Sequence, residues 1–178
     1  MRIDAGKDGA KRIRVGIIGA NPDRGWAAQA HIPALTSLSD DFEITALSTS
    51  RRESADAGSK LFGVPAAFDN HQELVNSPAV DVVAVTVKVP HHLELASAAI
   101  DAGKAVYCEW PLGNGLKEAE TLAALGARVL DVELPVPHAH TRFEEGELID
   151  EETRAGLADA LEALAEEVRQ RERAKVVA

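Results

Sequence analysis

The chain has 178 residues, 46% hydrophobic and only 4% aromatic, which allows an ordinary globular core built on Ala, Val, Leu and Ile. Its formal net charge of −10 opposes nonspecific binding to nucleic acid or to an anionic membrane, and no apolar run approaches the ~18 residues that span a bilayer. Cys108 is the single cysteine, which excludes an internal disulfide and fits a reducing, cytoplasmic setting.

Residues 1–11 are polar, with no apolar signal-peptide core, and read as a loose tail. Arg12–Ile18 reads as a first strand. Trp26–Leu38 reads as a helix with Ala28, Ile32, Leu35 and Leu38 on one stripe, and Pro33 is expected to kink it or limit it to its later turns. Glu43–Ser48 is a second strand. Arg51–Phe62 is a second helix, stopped by Gly63 and Pro65. Ala66–Phe68 is a short strand and Asn70–Asn76 a short helix. Val80–Val87 has the unbroken apolar character of a strand buried on both faces. His92–Ala102 is a helix closed by Gly103, Lys104–Glu109 a strand, Leu116–Leu125 a helix, and Arg128–Leu134 a further strand. Asp150–Arg173 is the longest helix, with Leu157, Leu161, Leu164 and Val168 as its apolar stripe. Alternating strands and helices imply an α/β fold: a doubly wound, mostly parallel Rossmann-type sheet with helices on both faces. The expected division is a tail over 1–11, a nucleotide-binding domain over 12–126, and a strand and long helix over 127–178.

In such a sheet ligands bind beyond the carboxyl ends of the strands. Three loops therefore matter: Gly19–Gly25, Ser48–Arg52 and Val87–His92. The first follows a strand and opens a helix, an order that builds an anion site from unpaired N–H groups and a glycine backbone. Gly19, Ala20, Asn21, Arg24, Gly25 and Trp26 are its candidate cofactor-binding residues. Against the pattern G-x-G-x-x-G, Asn21 stands where the second glycine belongs and Gly25 comes one residue late. Asn21 would crowd a phosphate, and Arg24 offers compensating charge. The alternative is a tight turn with no ligand.

At the end of the second strand an NAD site often carries an acid for the ribose hydroxyls. Here the run is Leu47-Ser48-Thr49-Ser50-Arg51-Arg52. Hydroxyls at Ser48 and Ser50 followed by Arg51 and Arg52 suit a 2′-phosphate, so NADP is expected ahead of NAD. The alternative is that the arginines begin a solvated helix. Val87 should run past the cofactor. His92 is a candidate there, although a structural hydrogen bond at the helix start is the favoured reading. Glu109 either lines a nicotinamide pocket or accepts N–H bonds from Gly113 and its neighbours. Cys108 reads as an inert core residue. His138 and His140 would share one face of a continuing strand and offer a pair of metal ligands, but with no third nearby no metal is expected.

Several segments resemble the cofactor domain of the Gfo/Idh/MocA superfamily over residues 12 to about 125. They are Val15-Gly16-Ile17-Ile18-Gly19-Ala20, His31-Ile32-Pro33-Ala34-Leu35, His92-Leu93-Glu94-Leu95-Ala96, Ala102-Gly103-Lys104-Ala105-Val106 and Glu109-Trp110-Pro111-Leu112. The Gly-x-Asn turn, the Arg24-Gly25-Trp26 run and Glu109-Trp110 are most similar to the galactose-regulon repressor branch. The resemblance implies that Trp110 stands where dehydrogenases place the lysine of Glu-Lys-Pro, beside nicotinamide and substrate. An indole cannot donate a proton as an ammonium does. Residues 126–170 resemble the end of NADPH-dependent FMN reductases. The expected function is an NAD(P)-binding oxidoreductase-type domain, weak or inactive by itself, with a sugar-like small molecule as the implied substrate class. The alternatives are a non-catalytic NAD(P)-sensing regulator, a flavin reductase with FMN as the lesser cofactor choice, and a fusion or truncation product without function. An apolar sheet edge without its second domain would favour a homodimer. No direct nucleic-acid or membrane partner is expected, and no catalytic residue is assigned.

Overall fold

A computed structural model describes residues 11–23, 25–125, 143–144 and 147–177. The chain divides into two compact units, Met1–Arg128 and Val129–Ala178. The first is built on five parallel strands in the order β3-β2-β1-β4-β5: β1 (Ile13–Ile18), β2 (Phe42–Ser48), β3 (Ala66–Phe68), β4 (Val82–Val85) and β5 (Ala105–Cys108). β4 is buried along its whole length, as its run of Val and Ala requires, whereas all four residues of β5 are half-buried at the sheet's end. Ile18, Ala46, Leu74, Val75, Val80, Val83, Val85, Leu95 and Ala99 form one buried cluster, with Phe68, Val106 and Cys108 packed against it. Burying each large aliphatic side chain contributes roughly 1.5–3 kcal/mol, and Ile17, Leu47, Val82 and Leu122 are buried in the same unit outside this cluster.

The register aligns the carboxyl ends of the strands. Phe68 lies beside Ser48, Ser48 beside Ile18, Ile18 beside Val85, and Val85 beside Cys108. The β1–β2 register shifts between Val15 and Gly16. Gly16 is glycine for packing: a Cβ there would lie 2.9 Å from Leu74 Cδ2 and 3.0 Å from Val80 Cγ1. Between strands run α1 (Ile32–Ser37), α2 (Arg52–Phe62), α3 (His71–Val75), α4 (His92–Asp101) and α5 (Leu116–Ala124). α2 ends at Gly63 in the left-handed region, and Asn70 caps α3 by accepting the Glu73 N–H at 2.9 Å.

The expected helix over 26–38 forms in two parts. A π-helical turn, Ala27–His31, leads into α1. Pro33 has no N–H to donate, and the turn ahead of it widens so that the Ile32 N–H bonds the Ala27 carbonyl instead. The α-helix is thus limited to the later turns, one of the two outcomes expected of Pro33, and the turn before it changes its hydrogen-bond period.

In the second unit β6 (Phe143–Glu144) pairs antiparallel with β7 (Glu147–Leu148), and α6 (Glu151–Val177) follows. Asp150 caps α6 by accepting the Thr153 N–H at 2.8 Å. Val168 of the expected stripe is buried, together with Ala165 and Thr153. The expected strand Arg128–Leu134 and the pair His138 and His140 lie outside the described residues. Among the described residues no helix is long and apolar enough to cross a membrane.

Candidate cofactor site

The hydrogen-bonded row continues one residue past the strands. Thr49 N–H bonds Phe68 O at 3.2 Å, Gly19 N–H bonds Ser48 O at 2.9 Å, Thr86 N–H bonds Ile18 O at 3.0 Å, and Glu109 N–H bonds Val85 O at 3.4 Å. This places Thr49, Gly19, Thr86 and Glu109 along one edge. The order reverses between β1 and β4, since β2 and β3 lie on one side of β1 and β4 and β5 on the other. That reversal is the crevice where open α/β sheets take ligands.

The turn after β1 sits at this crevice. Gly19 has φ +99°, and a Cβ there would lie 2.7 Å from Thr86 O and 2.7 Å from Val87 Cγ1. Any side chain would push the turn off the end of β4. Asn21 makes its own local structure: its Oδ1 accepts the Asp23 N–H at 2.9 Å, and its Nδ2 reaches Ser54 Oγ at 3.4 Å. Gly25 has φ +106° with nothing within 4 Å of a built Cβ, so its backbone is open to a ligand. Ala20 is fully buried behind the turn, Trp26 is 52% exposed beside it, and Arg24 lies outside the described residues. Exposed backbone at a glycine with a helix behind it suits a pyrophosphate.

At the end of β2, Ser48 is buried and Ser50 is exposed. The two arginines differ. Arg52 donates to Ala67 O at 2.8 Å and to Asp56 Oδ1 at 3.3 Å, and its Nε lies 3.5 Å from Asp69 Oδ2. The hydrogen bond to Asp56, with the Asp69 charge, raises its pKa further above the usual arginine value. Arg51 caps α2 in an extended conformation, and its exposed guanidinium has no partner among the described residues. The paired arginines expected for one phosphate are therefore divided between a structural role and an open one.

On the β4–β5 side, the His92 ring is fully buried. Its Nε2 lies 2.8 Å from Val87 O and its Nδ1 3.0 Å from Pro111 O. It ties the loop after β4 to the loop after β5. Glu109 Oε1 lies 2.6 Å from His31 Nε2, and the Tyr107 ring meets the His31 ring edge-on at 5.5 Å. The partner of Glu109 is thus His31, rather than the N–H groups near Gly113. His31 and Thr86 are site residues that the sequence reading did not single out. His31 stands in one of the segments that carried the family resemblance, and Thr86 directly follows the β4 run. Burial, with the Glu109 charge, pushes the Cys108 thiol up to about 11, as befits an inert thiol. Trp110 follows Glu109 and is 89% exposed. Among the described residues no three His, Cys, Asp or Glu side chains gather as metal ligands.

A parallel sheet with a glycine turn at its switch point defines a Rossmann domain of the dinucleotide-binding kind. Residues 13–132 match the family model described as oxidoreductase family, NAD-binding Rossmann fold (GFO_IDH_MocA), and the chain belongs to this family. It is 44% identical over 119 residues to dehydrogenase aclE of Aspergillus oryzae, covering 64% of this chain and 32% of that protein. It is 30% identical over 121 residues to the galactose/lactose metabolism regulatory protein GAL80 of Saccharomyces cerevisiae, covering 64% of this chain and 28% of that protein. A solved structure of the 3-ketoreductase KijD10 from Actinomadura kijaniata, a variant in complex with TDP-benzene and NADP, superposes with a TM-score of 0.58 at 32% identity. That match covers 65% of this chain and 35% of KijD10. The chain thus spans about a third of the length of the relatives it matches.

Proposed function

We propose that the chain binds NAD(P) across the carboxyl edge of its sheet and is weak or inactive as a dehydrogenase by itself. The observation that carries this reading is the aligned row Thr49, Gly19, Thr86 and Glu109 at the switch point. Gly19, Ala20, Asn21, Gly25 and Trp26 take the pyrophosphate side. Ser48, Ser50 and Arg51 take the adenosine ribose, with Arg51 favouring a 2′-phosphate and hence NADP. Val87, Glu109 and Trp110 take the nicotinamide side, and His92 acts on them through the Val87 and Pro111 carbonyls. When bound, the cofactor supplies hydride chemistry, and the protein's part is orientation and charge. A sugar-like alcohol or carbonyl is the fitting substrate class.

The second reading is an NAD(P)-binding regulator without turnover. It is favoured by Trp110, whose indole cannot exchange a proton as the lysine of related dehydrogenases can, and by the similarity to GAL80.

Melting the protein with NAD, NADP, NADPH and FMN tests the binding claim. A ligand at 100 times its dissociation constant adds about 2.7 kcal/mol of stability, so NADP and NADPH are expected to raise the melting temperature by several degrees. No shift with any nicotinamide nucleotide sinks the reading. A yellow protein stabilised by FMN alone transfers it to the flavin alternative. Hydride transfer to or from sugar alcohols, followed by absorbance, separates the two nicotinamide readings.

A further inference from the structure

We propose that Trp110 makes the site sensitive to the oxidation state of the dinucleotide, its indole holding the oxidised, cationic nicotinamide ring in preference to the neutral reduced ring. This rests on the dinucleotide site proposed above and adds what that site measures.

Trp110 is 89% exposed, more than any other exposed large hydrophobic residue among those described. Its backbone is nonetheless held on both sides. Before it, Glu109 bonds Val85 O through its N–H at 3.4 Å and His31 Nε2 through its carboxylate at 2.6 Å. After it, Pro111 O lies 3.0 Å from Nδ1 of the fully buried His92. The position of Trp110 is thus fixed by its backbone neighbours, and its indole stands open to receive a flat ring.

Topology selects which ring arrives. In doubly wound sheets the end of the second strand reads the adenosine ribose, and the turn after the first strand holds the pyrophosphate. With the order β3-β2-β1-β4-β5, a dinucleotide laid from β2 across β1 continues toward β4 and β5. Its nicotinamide half therefore falls on the side where β5 delivers Glu109 and Trp110. The oxidised ring carries a unit positive charge. Trp offers the best aromatic face for a cation, and the adjacent Glu109 carboxylate adds to the attraction. The reduced ring is neutral and gains neither term.

A cation–π contact at an exposed site corresponds to roughly a two- to fivefold preference for the oxidised form. The net charge of −10 also favours the less anionic oxidised nucleotide, so the decisive comparison is between variants. Calorimetric titration of the full chain with NADP and NADPH is expected to give the tighter constant for NADP. Trp110→Leu should weaken NADP more than NADPH, so that the ratio of the two constants falls most of the way toward one, and Trp110→Phe should keep part of the preference. In a Trp26→Phe background the remaining indole emission should be quenched by NADP. Equal wild-type affinities, or a ratio unchanged in Trp110→Leu, overturns the proposal and leaves nucleotide binding standing. If neither nucleotide binds the wild-type chain, the proposed function falls and this inference falls with it.

Discussion

Arg51 and Arg52 are neighbours in sequence with different electrostatic surroundings. Arg52 already serves Ala67 O, Asp56 and Asp69. Moving it onto a phosphate would leave two carboxylates without their cation. Arg51 is exposed, and its guanidinium has no partner among the described residues. Arg51→Ala is therefore expected to weaken NADP about tenfold while changing NAD by less than about twofold, the size of one charge-assisted contact. Arg52→Ala should act on stability rather than on affinity, and only slightly, since its pairs are solvent-exposed. Dissociation constants for both nucleotides with each variant check this. Equal loss of NAD and NADP in Arg51→Ala would remove the 2′-phosphate from this position. The sequence showed two arginines after a strand. It could not show that Asp69, seventeen positions on from Arg52, returns beside one of them, because that contact exists only once β2 and β3 pair.

The five strands of the parallel sheet were legible in the sequence because their chemistry is local, whereas the two-residue strands β6 and β7 were not. Val82–Val85 needs only a run of apolar residues to declare a strand covered on both faces. The π-helical turn at Ala27–His31 was not legible, since the apolar spacing over 26–38 suits an ordinary helix and the widening is set by Pro33 against the turn before it. The His31–Glu109 contact was hidden for another reason: it joins residues 78 apart, and no periodicity reports on such a pair. One tie between elements carries a pH signature. Arg14 of β1 holds Asp81, just ahead of β4, through Nε at 2.8 Å and through its backbone N–H at 3.0 Å. Burial alone would raise the Asp81 pKa, but the Arg14 hydrogen bonds and charge outweigh it and leave it below the ordinary 3.8. A carboxylate depressed in the folded state adds stability that is complete above its unfolded pKa and is lost as pH falls through the folded value. Asp81→Asn is accordingly expected to cost about 1–3 kcal/mol at pH 7, with the gap to the wild type narrowing below about pH 4. Denaturant melts of both proteins between pH 7 and pH 2 measure this. A constant gap across that range would mean that the Asp81 charge contributes nothing.

At the scale of the whole molecule, the residues proposed to meet the dinucleotide all fall within the unit Met1–Arg128, as do all five strands of the parallel sheet. The family match also lies almost wholly there, over 13–132. A unit of this size buries enough apolar surface to be stable without disulfides or metals. α5 contributes a fully buried Leu122 to that unit. We propose a division near residue 126, close to the boundary between the two compact units, with α6 in the second. A chain ending at Arg128 is therefore expected to fold cooperatively and to bind NADP within about threefold of the full chain, a difference below 1 kcal/mol. Circular dichroism melts and calorimetry on the shortened chain are the measurements. A shortened chain that melts without cooperativity, or that folds but loses NADP by more than tenfold, would overturn the division. The second outcome would mean that residues 129–178 contribute to nucleotide binding.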